Sequence, residues 1–273
     1  MKFACATLVR LARRPFIGVV IFSIAAIAAW VQAPAHAASL QPATFVQAGN
    51  TPDGASGGPG AWTSSVTLAQ PVAAGDFLAV MAVCYGRGSS LVDFTISDGV
   101  NPDASWKGPV AKSFNNDMAG YVAWYYLSNS RASASMTITA TNPTTNSNPP
   151  NLALGVMVFR GVSSLNPLDA NAGSATAFGV DSNVVDAGST PGATPAGELV
   201  IFGFDQQTTN WSALTPDAGL TIPADGIINH GTEGMGYSLN SSAGVQHHTI
   251  TLSDLPATHT TWNASMIAFV PGP

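Results

Sequence analysis

Ala74-Gly75-Asp76-Phe77-Leu78-Ala79-Val80-Met81-Ala82-Val83-Cys84 opens on a Gly-Asp turn and then runs through eight apolar residues without a break. A strand with one wet face alternates apolar and polar side chains, whereas a strand covered on both faces has no polar position to spare. Eight residues is also a strand's length, short of an ordinary helix. Leu154 to Phe159 reads in the same way. The neighbouring segments do alternate. In Ser135-Met136-Thr137-Ile138-Thr139-Ala140, the residues Met136, Ile138 and Ala140 share one face, and His248, Ile250 and Leu252 do so in His247–Leu252.

Outward from these runs, Gly, Pro, Ser, Thr and Asn interrupt every apolar stretch, and helical periodicity is hard to find. This pattern predicts strands near 43–48, 65–70, 77–85, 93–97, 120–127, 135–141, 152–160, 182–187, 198–205, 226–230, 234–240, 247–253 and 262–270. In the 120–127 strand, Tyr121, Ala123 and Tyr125 fall on one face and Val122, Trp124 and Tyr126 on the other.

The chain also echoes itself. Ala74-Gly75-Asp76-Phe77-Leu78 is answered by Ala196-Gly197-Glu198-Leu199-Val200, and Met118-Ala119-Gly120-Tyr121 by Met235-Gly236-Tyr237. Thr137-Ile138-Thr139 is answered by Thr249-Ile250-Thr251, and Met157-Val158-Phe159 by Ile267-Ala268-Phe269. Order is kept and the spacing drifts through 122, 117, 112 and 110, as a few loop deletions would produce. The expected fold is therefore all-β: a two-layer antiparallel β-sandwich, jelly-roll-like, built from two pseudo-repeats at about 65–160 and 182–270. Two tandem sandwiches are the alternative. The connection 161–181 lacks the character of a flexible tether, which favours one compact body. Pairing of Phe45-Val46 with Ala268-Phe269-Val270 would close it.

Ala-Gly-Asp-Phe-Leu at 74–78, Ile-Ser-Asp-Gly at 96–99, Phe-Arg-Gly-Val at 159–162, Asn-Pro-Leu-Asp at 166–169 and Ala-Gly-Glu-Leu at 196–199 resemble phrases of a broad group. That group comprises uncharacterised exported bacterial and phage-associated β-sandwich proteins. The resemblance spans most of residues 43–270 and lies in turns and strand starts. It implies the fold and carries no catalytic residue with it.

The first 37 residues read as an export signal. A basic stretch reaches Arg14, an apolar stretch runs from Phe16 to Val31, and Ala35-His36-Ala37 supplies the small residues before a cut. Arg13-Arg14-Pro15-Phe16-Ile17 also fits the twin-arginine pattern, although Ala12 and Gly18 depart from it, so the route of export stays open. No lipobox-type cysteine stands at the cut. The mature chain, 38–273, is expected to be periplasmic or extracellular, with no membrane attachment once the signal is gone. It keeps five cations against all 15 acids, a formal charge of −10 where the full chain has −6. Such a surface repels phosphate backbones and anionic headgroups, which argues against nucleic-acid partners and leaves neutral glycans or a cell-surface polymer. Cys84, alone in the mature chain, reads as a buried small hydrophobe.

The chain carries no phosphate-cradling glycine loop, Cys-x-x-Cys or His-Glu-x-x-His. Four constellations remain. Trp62, Trp106, Trp211 and Trp262 lie near predicted loops and strand ends, where flat rings stack on the apolar faces of sugars. Asp98, Asn101 and Asp103 put three oxygen side chains in one turn, with Asp93 just before it, a donor type that calcium accepts. His230, His247, His248 and His259 fall late in the chain near Glu233, but His247 and His248 are strand neighbours that point apart and cannot share an ion. Asp205, Asp217, Asp225 and Glu233 offer carboxylates of the kind glycoside hydrolysis pairs across a cleft. The expected function is a glycan- or surface-binding or structural module. The alternative is a carbohydrate-active enzyme, a glycoside hydrolase or lyase, on the same scaffold. Intact-mass measurement of the secreted product should give a chain beginning at Ala38, and a product beginning at Met1 would contradict the export reading.

Overall fold

A computed structural model describes residues 42–51, 62–85, 93–115, 120–143, 151–179, 181–206, 213–228, 233–239, 242–253 and 261–273. The chain divides into two compact units, Met1–Ala37 and Ala38–Pro273, and the first lies outside the described residues. The proposed signal therefore falls there too.

The described part of the second unit is all strand apart from turns and one 3₁₀ turn at Asp103–Ser105. Its first eight strands are β1 (Thr44–Asn50), β2 (Trp62–Thr67), β3 (Phe77–Tyr85), β4 (Thr95–Ser97), β5 (Lys107–Asn115), β6 (Gly120–Leu127), β7 (Thr137–Asn142) and β8 (Asn151–Arg160). The next eight are β9 (Ser174–Gly179), β10 (Val184–Thr194), β11 (Leu199–Gln206), β12 (Leu214–Pro216), β13 (Ile227–Ile228), β14 (Glu233–Leu239), β15 (Gly244–Leu252) and β16 (Trp262–Phe269).

The strands form antiparallel sheets in the orders β1-β8-β3-β6-β5 and β2-β7-β4, then β9-β16-β11-β14-β13 and β10-β15-β12. Adding eight to each strand number of the first pair of sheets gives the second pair. Each half is thus an antiparallel two-layer sandwich of a five-stranded and a three-stranded sheet. The register matches as well, since Phe77 pairs with Phe159 as Leu199 pairs with Phe269.

Three apolar clusters show how the sheets stack. Leu78, Val80, Ala82 and Cys84 of β3 pack with Ile96, Ile138 and Leu154 between the two sheets of the first half. Val200, Phe202 and Phe204 of β11 pack with Val185, Ile250 and Met266 in the second. The remaining face of β3, Phe77, Ala79, Met81 and Val83, packs with Trp124, Met157, Leu199, Ile201, Met235 and Ile267 between the two five-stranded sheets. The layers therefore run three, five, five, three strands. The unbroken apolar run of β3 follows directly: alternate residues feed two different cores. Both faces of β6 are buried for the same reason, Tyr121 and Tyr125 in one core, Val122, Trp124 and Tyr126 in the other.

Two glycines let the middle sheets come close. A Cβ at Gly155 in β8 would stand 2.5 Å from Ile228 Cδ1 and 2.7 Å from Met235 Sδ. A Cβ at Gly203 in β11 would run into Met81 Sδ and lie 2.7 Å from Trp124 Cζ2. By register Met81 and Gly203 hold the same place in their halves, so a large residue in one half fills the space left by a small one in the other. Nearer the start of β3, Phe45 stacks on Tyr237 at 4.8 Å, Phe159 meets Tyr237 edge-on at 5.4 Å, and Phe269 lies 4.8 Å from Phe77. The edges are tied by side chains: Asn50 Nδ2 donates to the carbonyls of Asp225 and Ile227, and Ser113 Oγ donates to the carbonyl of Ala177.

The sequence pattern does not reveal β5, β9 or β12, and all three are sheet edges. Edge strands tolerate Gly, Pro and Lys, as in Lys107-Gly108-Pro109, and need no apolar run. The connection 161–181 thereby gains a strand, β9. Phe45 pairs with Phe159 and not with the last strand, whose outer neighbour is β9. The expected closure by the chain ends is corrected accordingly, because each half supplies its own edge.

Gly203→Ala should cost about 1–3 kcal/mol in urea unfolding. Combining it with Met81→Ala should cost less than the two single changes summed, by at least about 0.5 kcal/mol. Strict additivity would contradict the direct contact.

Candidate functional site

A cleft of about 190 Å³ opens at the edge of the first sandwich, lined by Phe94, Thr95, Trp106, Gly108 and Tyr125, with exposed Asp103 beside it. The turn between β4 and β5 builds one wall. Asp98 Oδ1 accepts the backbone N–H groups of Val100 and Asn101 at 2.8 and 2.7 Å. Its Oδ2 accepts Asn101 Nδ2 at 2.9 Å and Trp106 Nε1 at 3.2 Å. Asn101 Oδ1 in turn accepts the N–H of Arg131. One buried carboxylate thus closes the turn and fixes the indole.

The opposite wall is Tyr125, whose hydroxyl oxygen accepts the Phe94 N–H at 2.9 Å and keeps its own proton to donate. Burial pushes this phenol well above its usual range, so it stays neutral. Gly108, at φ 139°, lays its backbone against that ring, and a Cβ there would stand 2.6 Å from Tyr125 Cδ1. Phe94 meets Tyr125 edge-on at 6.3 Å.

Thr95 joins the cleft to the outer face of the β2-β7-β4 sheet. On that face Thr63, Thr141 and Thr95 stand in one row, and Ser65, Thr139 and Ser97 in the next, followed by the pair Thr67 and Thr137. Ser65 and Thr139 hydroxyls bond at 2.8 Å, as do Thr67 and Thr137. The corresponding face of the second half carries a side-chain contact between His247 Nε2 and Asp186 Oδ1 at 3.0 Å.

Of the four tryptophans, Trp211 lies outside the described residues. Trp62 and Trp262 are buried, at 2% and 5% exposure, and Trp106 keeps 8%. The Trp262 ring lies on Gly179, its cross-strand partner. A stacking platform must present a ring face to solvent, and none of the three described tryptophans does; Trp106 differs in bordering the cleft. Asp98, Asn101 and Asp103, the oxygen-rich turn, stand in one wall of the cleft. The Asp98 lone pairs are taken by N–H donors, Asn101 bonds within the turn, and Asp103 stands in the 3₁₀ turn beside the cleft.

His230 and His259 lie outside the described residues. His247 points outward and His248 inward, where its Nδ1 meets Asp217 Oδ1 at 3.0 Å. Among the described residues no three His, Cys, Asp or Glu side chains gather as a metal site. Asp205 and Glu233 do come together, directly opposite each other on β11 and β14. Burial, then the neighbouring Glu233, hold Asp205 well above the usual carboxylate range, and Asn263 Nδ2 lies 3.4 Å from its Oδ2. Both acids are buried between the middle sheets, away from any substrate in solvent. Asp217 and Asp225 stand apart from them, one beside His248 and the other at the Asn50 tie. Burial pushes the Cys84 thiol up to about 12, which fits an inert core residue.

No family model, curated protein or solved structure matches this chain.

Phe94 escapes sequence reading because nothing marks a single Phe before a three-residue strand as a cleft wall. Asp98→Ala should lower stability by about 2–4 kcal/mol, since it strands several N–H donors at once. It should also shift tryptophan fluorescence to the red as Trp106 loosens. A loss below about 0.5 kcal/mol would contradict the role given to this carboxylate.

Proposed function

We propose that this chain is an exported binding module for neutral glycans or a cell-surface polymer, using the aromatic cleft together with the hydroxyl face that adjoins it. The observation that carries this reading is their continuity through Thr95, which lines the cleft and begins a row of hydroxyls on the sheet. The exposed Asp103 and the outward Thr and Ser hydroxyls of the adjoining sheet supply bonding partners for sugar hydroxyl groups, while Phe94, Trp106 and Tyr125 shape the cleft without offering an open ring face. A volume of about 190 Å³ is small and suits a single ring rather than a large ligand. The formal charge of −10 after removal of the leader disfavours anionic partners, nucleic acid and anionic membranes included. On this reading the protein works in the periplasm or outside the cell. The two halves are read as a duplication that kept its strand order. A carbohydrate-active enzyme is the second reading, favoured by the facing of Asp205 and Glu233 and weakened by their burial.

Pull-down on a panel of insoluble neutral polysaccharides, followed by calorimetry, tests the proposal. The protein should bind without releasing reducing sugar. Asp103→Ala and Thr95→Lys should each weaken binding about tenfold, a loss of about 1.4 kcal/mol, without lowering the melting temperature. Unchanged binding in both variants, or no binding across the panel, would contradict it.

A further inference from the structure

The two halves treat one equivalent acid differently. Asp76 and Glu198 follow matching glycines, Gly75 and Gly197, at φ 86° and 85°, and each precedes the first residue of the central strand of its half. In the first half Arg160 follows Phe159 at the end of β8 and neutralises Asp76, with Nε 2.8 Å from Oδ1. The second Asp76 oxygen accepts the Ala73 N–H at 2.8 Å. In the second half the residue after Phe269 is Val270, and no arginine arrives.

Glu198 instead faces a second acid, Asp169, from the connection that precedes β9. Glu198 is fully buried and Asp169 is 4% exposed. Both Glu198 carboxylate oxygens and Asp169 Oδ2 are buried with no hydrogen-bond donor. The other Asp169 oxygen accepts the Asn171 N–H at 2.7 Å. The Asp169 backbone is held as well, its N–H donating to the Ala268 carbonyl and its own carbonyl accepting the Gly173 N–H. Three carboxylate oxygens are therefore buried with no neutral or cationic donor from the protein and only the facing acid beside them. Burying an ionised carboxylate without a partner is costly, and two facing each other are costlier still.

We propose that Asp169 and Glu198 bind a hard divalent cation of the calcium class, which does in the second half what Arg160 does in the first. Two carboxylates balance a double positive charge, and oxygen donors from an irregular connection suit calcium better than the strict octahedron of magnesium. Glu198 offers two oxygens and Asp169 one, and carbonyls or water complete the shell. Ala170 and Asn171 directly above Asp169 are exposed, so the ion has only one tight turn to pass.

Burial first, then the neighbouring Asp169, push Glu198 well above its usual range, as expected of two acids held together without a cation.

The test uses the secreted protein stripped with chelator and titrated with calcium chloride. Calorimetry should show one calcium ion bound per chain. The melting temperature should rise with calcium by several degrees. Val270→Arg, which imports the first half's solution, should fold and lose the calcium response. Glu198→Gln should lose it too, and serves if the arginine variant does not fold. No calcium-dependent heat or melting shift would overturn the proposal and leave a shared proton. A parental response in a folded Val270→Arg or Glu198→Gln protein would overturn it as well. Glycan binding at the first half's cleft is a separate readout, so either proposal can fail alone.

Discussion

The structure depends on the burial of two five-stranded sheets against each other. An isolated sandwich of this kind would leave the outer face of its five-stranded sheet wet. Here that face carries Phe77, Met81, Trp124, Met157 and Phe159 in one half and Leu199, Ile201, Met235, Ile267 and Phe269 in the other. Each such side chain contributes about 1.5–3 kcal/mol on burial, so neither half can leave the other without exposing most of a core. Shape fixes the register of the contact. Gly155 and Gly203 open the hollows that Met235 and Met81 occupy, and the stacked aromatics Phe45 and Tyr237 pin the end nearer the start of β3.

The parts of the fold that the sequence reveals are those where this constraint acts on every residue. In β3 and β6 both faces are buried, apolar residues fill each position, and the expected bounds, 77–85 and 120–127, coincide with the strands. The outer strand β7 is legible for the opposite reason, because Met136, Ile138 and Ala140 are buried while Thr137 faces water. Edge strands escape both patterns. β5 carries Gly108, Pro109 and Lys112, and β9 is made of small residues around one exposed Phe178. The candidate site was only partly readable. Trp106 borders a cleft, whereas Trp62 and Trp262 occupy core positions that sequence alone cannot tell from loop tips. Asp98 shows why oxygen-rich turns read two ways: the same lone pairs that suit a cation serve equally well to bind N–H groups and an indole. The facing of Asp205 with Glu233, and of Asp169 with Glu198, depends on strand register and chain path, which composition does not encode.

Equal strand order in the two halves makes their chemical differences informative. The three-stranded sheet of the first half presents an uncharged row of Thr and Ser beside an aromatic cleft, while that of the second carries the Asp186–His247 pair. At the other end of the central strand, Asp76 has Arg160, whereas Glu198 has only another acid. Positions that face the shared interface are complementary rather than identical, as with Met81 and Gly203. A common framework thus carries a hydroxyl face beside a cleft in one half and two facing buried acids in the other.

Native-state hydrogen exchange on the purified protein tests the central claim most directly. If the middle sheets form one core, amides in β3, β6 and β8 and those in β11, β14 and β16 should open only with the whole molecule, at one shared and highest free energy. A half whose central strands exchange at a distinctly lower level, while the other stays protected, would contradict it.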